Sequence, residues 1–146
     1  MLFRSGARVH ATFVGGMKAD ALATAGRYAE GLEQLRRTLA ITAETGEVSY
    51  ASWLHRIRAK LLLHVDGMAA SAEIEACLQQ AIAIAREQGA KGWEIGAATD
   101  LARLWAEHGR RTEARVFLAP IYGWFTEGFD TLDLKEAKGL LDALTA

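Results

Sequence analysis

An internal repeat constrains this chain more than any other feature of its sequence. Shifting the sequence by about 43 residues places residues 35–46 on residues 78–89 and matches Lys60 with Arg103. A further shift of about 40 residues extends the match and pairs Ile74, Leu78, Ala81 and Ile82 with Ala114, Leu118, Ile121 and Tyr122. Repeated units of this length bury their apolar faces only by stacking on one another. The sequence therefore predicts an array of three similar units.

Each unit has the pattern of two helices separated by a polar turn. Apolar residues recur at three- and four-residue spacing in the second helix of the first unit, which predicts a buried stripe of Leu32, Leu35, Leu39 and Ala43. Gly46 and Gly89 occupy the same place in two units and suit the left-handed residue that ends a helix. The single proline, Pro120, and the abundance of alanine and leucine favour an all-α chain.

We expect about seven helices in one domain that covers residues 1–146. They span about residues 7–24, 28–45, 48–65, 71–88, 92–108, 112–124 and 132–144, so that the repeats cover about 7–45, 48–88 and 92–125 and a C-terminal cap helix covers 131–144. Thr131 or Asp130 is expected to cap the last helix. Gly15 and Gly16 predict an interruption of the first helix, because each glycine costs about 1 kcal/mol relative to alanine in a helix interior.

The third unit resembles a tetratricopeptide repeat. The resemblance rests on Ala98, Leu101, Ala102, Trp105, Gly109, Ala114, Leu118 and Ile121. It implies a right-handed α-solenoid of helix pairs, in which small residues at Ala102 and Ala114 let the paired helices approach while Trp105 and Leu118 fill the space between them. The repeat of 40 to 43 residues exceeds the usual 34 of that family, so the helices are expected to be longer by about a turn.

Residues 20–146 also resemble the C-terminal helical-repeat region of large bacterial signalling ATPases. Residues 53–63, 76–94, 98–105, 109–115 and 121–138 carry the resemblance, although Leu132 stands where that group usually has proline. Those proteins join a cyclase or winged-helix domain to an ATPase core and then to this array. The resemblance implies a regulatory or signalling setting, and it carries no catalytic activity to residues of this chain.

The sequence contains no recognisable catalytic, cofactor or metal motif, so we expect a protein that is not an enzyme. Residues 15–19 lack the hydroxyl and the upstream glycine of a P-loop, and no two histidines have the four-residue spacing of a helical zinc pair. Cys77 is alone, which excludes a disulfide framework and favours a reducing, cytoplasmic location. The net charge of −1 and the lack of a long apolar run argue against direct nucleic-acid or membrane binding.

A peptide-binding groove is the candidate site. If the units stack as tetratricopeptide repeats do, the first helix of each pair lines a concave surface, and Lys60 and Arg103 become equivalent cations of adjacent repeats. The candidate groove residues are Arg56, Lys60, His64, Thr99, Arg103 and Glu107. Two cations one repeat apart can hold an acidic or C-terminal carboxylate of a protein or peptide partner. The alternative interpretation of these cations is a solvated helix face with intrahelical ion pairs.

Apolar residues at the two ends of the array lead to two further expectations. The first helix has no partner before it, so its Val9, Phe13, Val14 and Met17 are expected to pack on a second copy, as a homodimer, or on a preceding part of a longer protein. The aromatic residues Trp93, Trp105, Trp124, Phe125 and Phe129 are expected in the core, with Phe125 and Phe129 folding the end loop over the array.

The leading functional hypothesis is a non-catalytic protein–protein interaction module of a bacterial signalling or transcription-regulatory protein. The rival is an effector-sensing regulatory domain that binds a small molecule and controls an attached ATPase or cyclase. A closed apolar pocket with converging polar groups would favour the sensor. An open groove lined by Arg56, Lys60 and Arg103 would favour a peptide partner.

Overall fold

The structure, a computed structural model, describes the backbone of residues 2–146 and the side chains of residues 10–146. These residues form helices joined by short turns and contain no strand, which confirms the predicted all-α class. The helices are α1 (Leu2–Thr24), α2 (Tyr28–Thr45), α3 (Ala51–Asp66), α4 (Ser71–Gln88), α5 (Lys91–Glu107), α6 (Arg111–Gly123) and α7 (Leu132–Thr145), with a 3-10 turn at Gly67–Ala70. The predicted boundaries of α2 to α7 lie within about three residues of these.

The chain divides into two compact units, Met1–Cys77 and Leu78–Ala146. In the first unit, α1 packs on both α2 and α3, and α2 packs on α3. In the second unit, α5 packs on both α6 and α7, and α6 packs on α7. Each unit therefore contains a helix pair with a third helix against both members. The single domain expected for residues 1–146 stays a prediction.

The same five-residue turn leads into the second helix of the pair in both units. It has the sequence Gly-Arg-x-x-Glu and occupies residues 26–30 and 109–113. The glycines, Gly26 and Gly109, have φ of 77° and 79°, a left-handed conformation that glycine adopts without strain. In each run the arginine precedes the helix and forms an ion pair with the glutamate one turn later. In both places the arginine N–H also donates to a carbonyl of the preceding helix, that of Leu22 or Trp105, so the same contacts hold the turn in both units.

Helix ends follow the sequence prediction closely, with one difference in detail. Gly46 and Gly89 have φ of 70° and 68°, which confirms that both end their helices in the left-handed conformation. Thr131 is the residue before α7, as expected. Its hydroxyl nevertheless donates to the carbonyl of Gly128 at 2.8 Å rather than accepting a helix N–H. Thr131 therefore ties the loop before α7 and caps the helix only by its extended backbone.

The predicted interruption at Gly15 and Gly16 is wrong, because α1 continues through both residues. The two glycines are places of close helix contact. A Cβ on Gly15 would lie 2.8 Å from Cγ2 and 3.0 Å from Cβ of Thr38 on α2, and one on Gly16 would lie 2.8 Å from Cδ2 of Leu54 on α3. Side chains at these positions would push α1 away from its neighbours, so packing outweighs the low helix propensity of glycine.

The first unit has a core of small and aliphatic residues between α1, α2 and α3. Ala19, Ala23, Leu35, Leu54, Ile57 and Leu61 form it. On α2 the buried residues are Gly31, Leu35 and Thr38, whereas Ala43 is exposed and was wrongly expected in the stripe. The buried line runs from Gly31 through Leu35 and ends at Thr38, where Gly15 of α1 packs.

The second unit is built around α5, whose residues from Glu94 to Thr99 are all buried. Ala102 and Ala114 are completely buried in the α5–α6 pair, as is Leu118, in agreement with the role expected of them. The indole of Trp105 packs against Phe117, with ring centroids 5.1 Å apart. The guanidinium of Arg110 lies over the Trp105 ring, 4.6 Å from its centroid.

Two glycine substitutions test the role of close helix contact. Gly15→Ala should lower the free energy of unfolding by about 1–2 kcal/mol, because overpacking against Thr38 exceeds the gain in helix propensity. Gly139→Ala in α7 is the matched control, since nothing lies within 4 Å of its added Cβ, and it should raise stability by about 0.5–1 kcal/mol. Urea unfolding measures both values. A stabilised Gly15→Ala variant would contradict the close contact.

Candidate functional site

The three candidate groove residues of the first unit lie on α3, four residues apart, which places them on one face of that helix. Lys60 is exposed, and its Nζ lies 3.6 Å from Oδ1 of Asp20 on α1. The imidazole of His64 stacks on the ring of Tyr28, with centroids 4.4 Å apart and an interplanar angle of 3°. Arg56 is half-buried. This face therefore presents one accessible ammonium beside a carboxylate.

The three candidates of the second unit lie on α5 with the same spacing. Thr99 is only 1% exposed, and its hydroxyl donates to the carbonyl of Ile95 at 2.7 Å. The guanidinium of Arg103 lies 3.3 Å from Oδ1 of Asp100, and Glu107 is exposed. Arg103 and Glu107 are accessible to a partner, whereas the Thr99 side chain is inside the protein and already hydrogen-bonded.

Each of the two equivalent cations thus has a carboxylate beside it, which the sequence analysis did not include in the site. Asp100 lies three residues before Arg103 on the same helix, so the sequence contained that signal. Asp20 lies on a different helix from Lys60, and only the packing of α1 on α3 reveals the pair. Both pairs are at the surface, where an ion pair contributes only about 0–1 kcal/mol and exchanges readily.

Cys77 lies beside Arg58, in the part of α3 that also carries Arg56 and Lys60. Arg58 donates from Nη1 to the Cys77 sulfur at 2.8 Å and also pairs with Glu73 of α4. Burial raises the pKa of the Cys77 thiol, and the neighbouring Arg58 offsets this only in part. The thiol is therefore a buried packing group that also accepts a hydrogen bond.

His55 connects this part of α3 to the stability of the fold. Burial lowers the pKa of His55 below its ordinary value of 6.5, and the positive charge of Arg58 lowers it further. In the unfolded chain the imidazole regains its ordinary pKa, so at acidic pH the unfolded state binds a proton that the folded state binds more weakly. The folded state is therefore destabilised as the pH falls below about 6.5, and the effect is absent above about pH 7.

Replacing His55 tests this linkage. Between about pH 7.5 and pH 5.5, the free energy of unfolding of His55→Gln should fall less than that of the wild type, because the variant lacks the titrating group. Urea unfolding at the two pH values measures the difference. His108→Gln removes an exposed histidine at the end of α5 and serves as the control. Equal pH sensitivity of His55→Gln and the wild type would show that His55 is not the source.

An aromatic cluster lies where α1 meets the start of α3. The ring of Phe13 is 5.2 Å from that of Tyr50 and 6.0 Å from that of Trp53. Phe13 and Met17 are both among the exposed large apolar residues, and Val14 is partly buried. The side chain of Val9 lies outside the described residues. The exposure of Phe13 and Met17 is what the expected packing of α1 on a second copy requires, and that homodimer stays a prediction.

The second unit contains a cleft that the sequence analysis missed. It encloses about 180 Å³ and is lined by Lys91, Glu94, Pro120, Ile121, Trp124 and Phe125. Lys91 and Glu94 come from the first turn of α5, and the other four come from the end of α6 and the residues directly after it. The ammonium of Lys91 lies 5.1 Å from the centroid of the Trp124 ring, a cation–π contact.

The expectation that the aromatic residues are core is wrong for Trp124 and Phe129. Trp124 is 59% exposed and Phe129 is 46% exposed. Trp124 follows the last residue of α6, so it lies beyond the face that α5 and α7 cover. Its ring meets that of Phe125 edge-on, with centroids 5.2 Å apart. The end of α6 therefore presents an open aromatic surface beside the cleft.

The described residues contain neither a candidate metal-binding cluster nor a candidate membrane-spanning helix. No group of three or more His, Cys, Asp or Glu side chains among them is arranged to hold a metal ion. None of their helices combines the length and apolarity needed to cross a membrane.

The chain matches no protein-family model, and neither a curated protein nor a solved structure is significantly similar to it.

Proposed function

We propose that this chain is a non-catalytic protein–protein interaction module, built of tetratricopeptide-like helix pairs and belonging to a bacterial signalling or transcription-regulatory protein. The packing inside each unit supports this proposal, since a helix pair with a third helix against both members is the arrangement expected of such repeats. The recurrence of the Gly-Arg-x-x-Glu turn in both units supports it as well.

The observation that carries the proposal is the state of the two equivalent cations. Lys60 and Arg103 both lie at the protein surface, each beside one carboxylate at 3.6 and 3.3 Å. Exposed pairs of this kind are weak, so a partner's carboxylate can replace the internal one at little cost. Cations on helix surfaces that exchange partners in this way suit recognition of an acidic segment of another protein.

The size of the cleft in the second unit favours a protein partner over a small-molecule effector. Pockets for drug-sized ligands usually enclose about 300–1,000 Å³ and bury most of the ligand. The cleft encloses about 180 Å³, and its wall residue Trp124 is largely exposed. A closed sensor pocket is therefore a poorer description of this cleft than an open surface for a polypeptide.

Charge reversal tests the proposed recognition of acidic segments. Peptides selected from a displayed random library on the wild-type protein should be rich in Asp and Glu. The double variant Lys60→Glu and Arg103→Glu should bind a selected peptide about tenfold more weakly in fluorescence anisotropy, because the cation that contacts the peptide in either unit becomes a repulsive carboxylate. Raising the salt concentration should weaken wild-type binding as well.

Lys138→Glu is the matched control for the double variant. Lys138 is an exposed cation of α7 with a carboxylate, Asp142, at 2.8 Å. The control changes the net charge in the same direction without touching α3 or α5, so it should bind the peptide with nearly wild-type affinity. Unchanged binding by the double variant, or an equal loss in the control, would overturn recognition through Lys60 and Arg103.

A further inference from the structure

The cleft of the second unit contains a buried carboxylate oxygen that lacks a hydrogen-bond donor. The side chain of Glu94 is 6% exposed, and its Oε2 accepts a hydrogen bond from Nε of Arg86 at 2.8 Å. Its Oε1 has no hydrogen-bond partner among the described residues, although Nζ of Lys91 lies 3.5 Å away. A buried acceptor without a donor is costly, so a donor that displaces the Lys91 ammonium and reaches Oε1 gains a favourable contact.

The charges around Glu94 restrict what can donate. Arg86 and Lys91 are both close to its carboxylate, and the ammonium of Lys91 also faces the Trp124 ring. A cationic donor would meet two like charges, and an ionised carboxylate has no hydrogen to donate to Oε1. A neutral N–H or O–H group is the donor that fits.

The remaining walls and the volume restrict the shape of the occupant. Pro120, Ile121, Trp124 and Phe125 present apolar and aromatic surface around a space of about 180 Å³. A cavity of about 150 Å³ is large enough to hold one benzene ring. The cleft therefore has room for a single aromatic side chain. Tyrosine and tryptophan carry a neutral donor throughout the ordinary pH range, whereas histidine becomes a cation as the pH falls through about 6.5.

We propose that this cleft receives one tyrosine or tryptophan side chain of a partner polypeptide, whose phenol or indole donates a hydrogen bond to Oε1 of Glu94 while its ring packs against Trp124 and Phe125. The proposal rests on the proposed function as an interaction module, and it names an aromatic anchor that a partner presents to the second unit. It also accounts for the exposure of Trp124, since aromatic anchors and the residues that receive them are frequent at interface centres.

Titration with amino acids that are blocked at both termini tests the proposed aromatic anchor. This test does not require the partner to be known. N-acetyl-tryptophanamide and N-acetyl-tyrosinamide, added to the labelled protein, should cause saturable NMR shifts at Lys91, Ile121 and the Trp124 indole. N-acetyl-phenylalaninamide should bind about tenfold more weakly, because it lacks the donor to a charged acceptor. Equal binding of the three probes, or shifts that avoid the cleft, would overturn the proposal.

Two variants and a control connect the binding to the cleft. Trp124→Ala removes one wall of the cleft and should lower the affinity of the tryptophan probe at least tenfold. Val116 is an exposed apolar residue of α6 that does not line the cleft, so Val116→Ala should leave this affinity unchanged. Glu94→Leu should abolish the preference for tyrosine and tryptophan over phenylalanine. If Glu94→Leu fails to fold, the comparison of Trp124→Ala with Val116→Ala still decides the proposal.

The same titrations separate this inference from other occupants. Tighter binding of free tryptophan than of its blocked form would indicate a metabolite and would overturn the polypeptide partner. Concentration-dependent shifts at the cleft without any probe, lost in Trp124→Ala, would indicate a second copy of the chain and would overturn it as well. Charge reversal at Lys60 and Arg103 should not change probe binding, so failure of the acidic-segment test and failure of the anchor test give different results.

Discussion

The contact of α1 with α2 and α3 at Gly15 and Gly16 sets the geometry of the first unit. At these positions the helices approach until even a Cβ would meet Thr38 or Leu54 within 3.0 Å. The aromatic cluster at the start of α3 and the Lys60–Asp20 pair both join α1 to α3, so both depend on this approach. A side chain at either glycine would separate the core and would also move the carboxylate that accompanies the proposed binding cation.

Much of the fold could be predicted because its signals are local. The helix ends at Gly46 and Gly89 depend on one residue each, and the periodic apolar pattern fixed most helix boundaries within about three residues. The errors occurred where distant helices decide the outcome. Gly15 and Gly16 looked unfavourable within α1 alone, because the compensating contact with Thr38 lies on another helix. Ala43 fitted the helical spacing but lies outside the line that α1 covers on α2.

In the candidate site as well, local sequence signals were sufficient for some residues, whereas others depend on contacts between distant helices. The repeat identified Lys60 and Arg103, and the neighbouring Asp100 was readable from helical spacing. Asp20 was not readable, because α1 brings it to Lys60 only after packing. The cleft was missed because it joins the start of α5 to the end of α6 and the residues directly after it, and because aromatic residues at helical spacing are usually core. The exposed Trp124 and the buried Glu94 indicate a binding cleft only when they are considered together, because both line the same space.

The Gly-Arg-x-x-Glu turn has a consequence for how proteins of this design can change in length. Its glycine conformation and its arginine–glutamate pair lie within five consecutive residues, and its other hydrogen bonds reach only the last turn of the preceding helix, so the turn forms from residues that are close in the chain. A hairpin joined by such a turn can be duplicated or deleted as a unit without new loop chemistry. Selection on surface residues can then diversify each copy separately, as long as each hairpin keeps the apolar face that stacks on its neighbours.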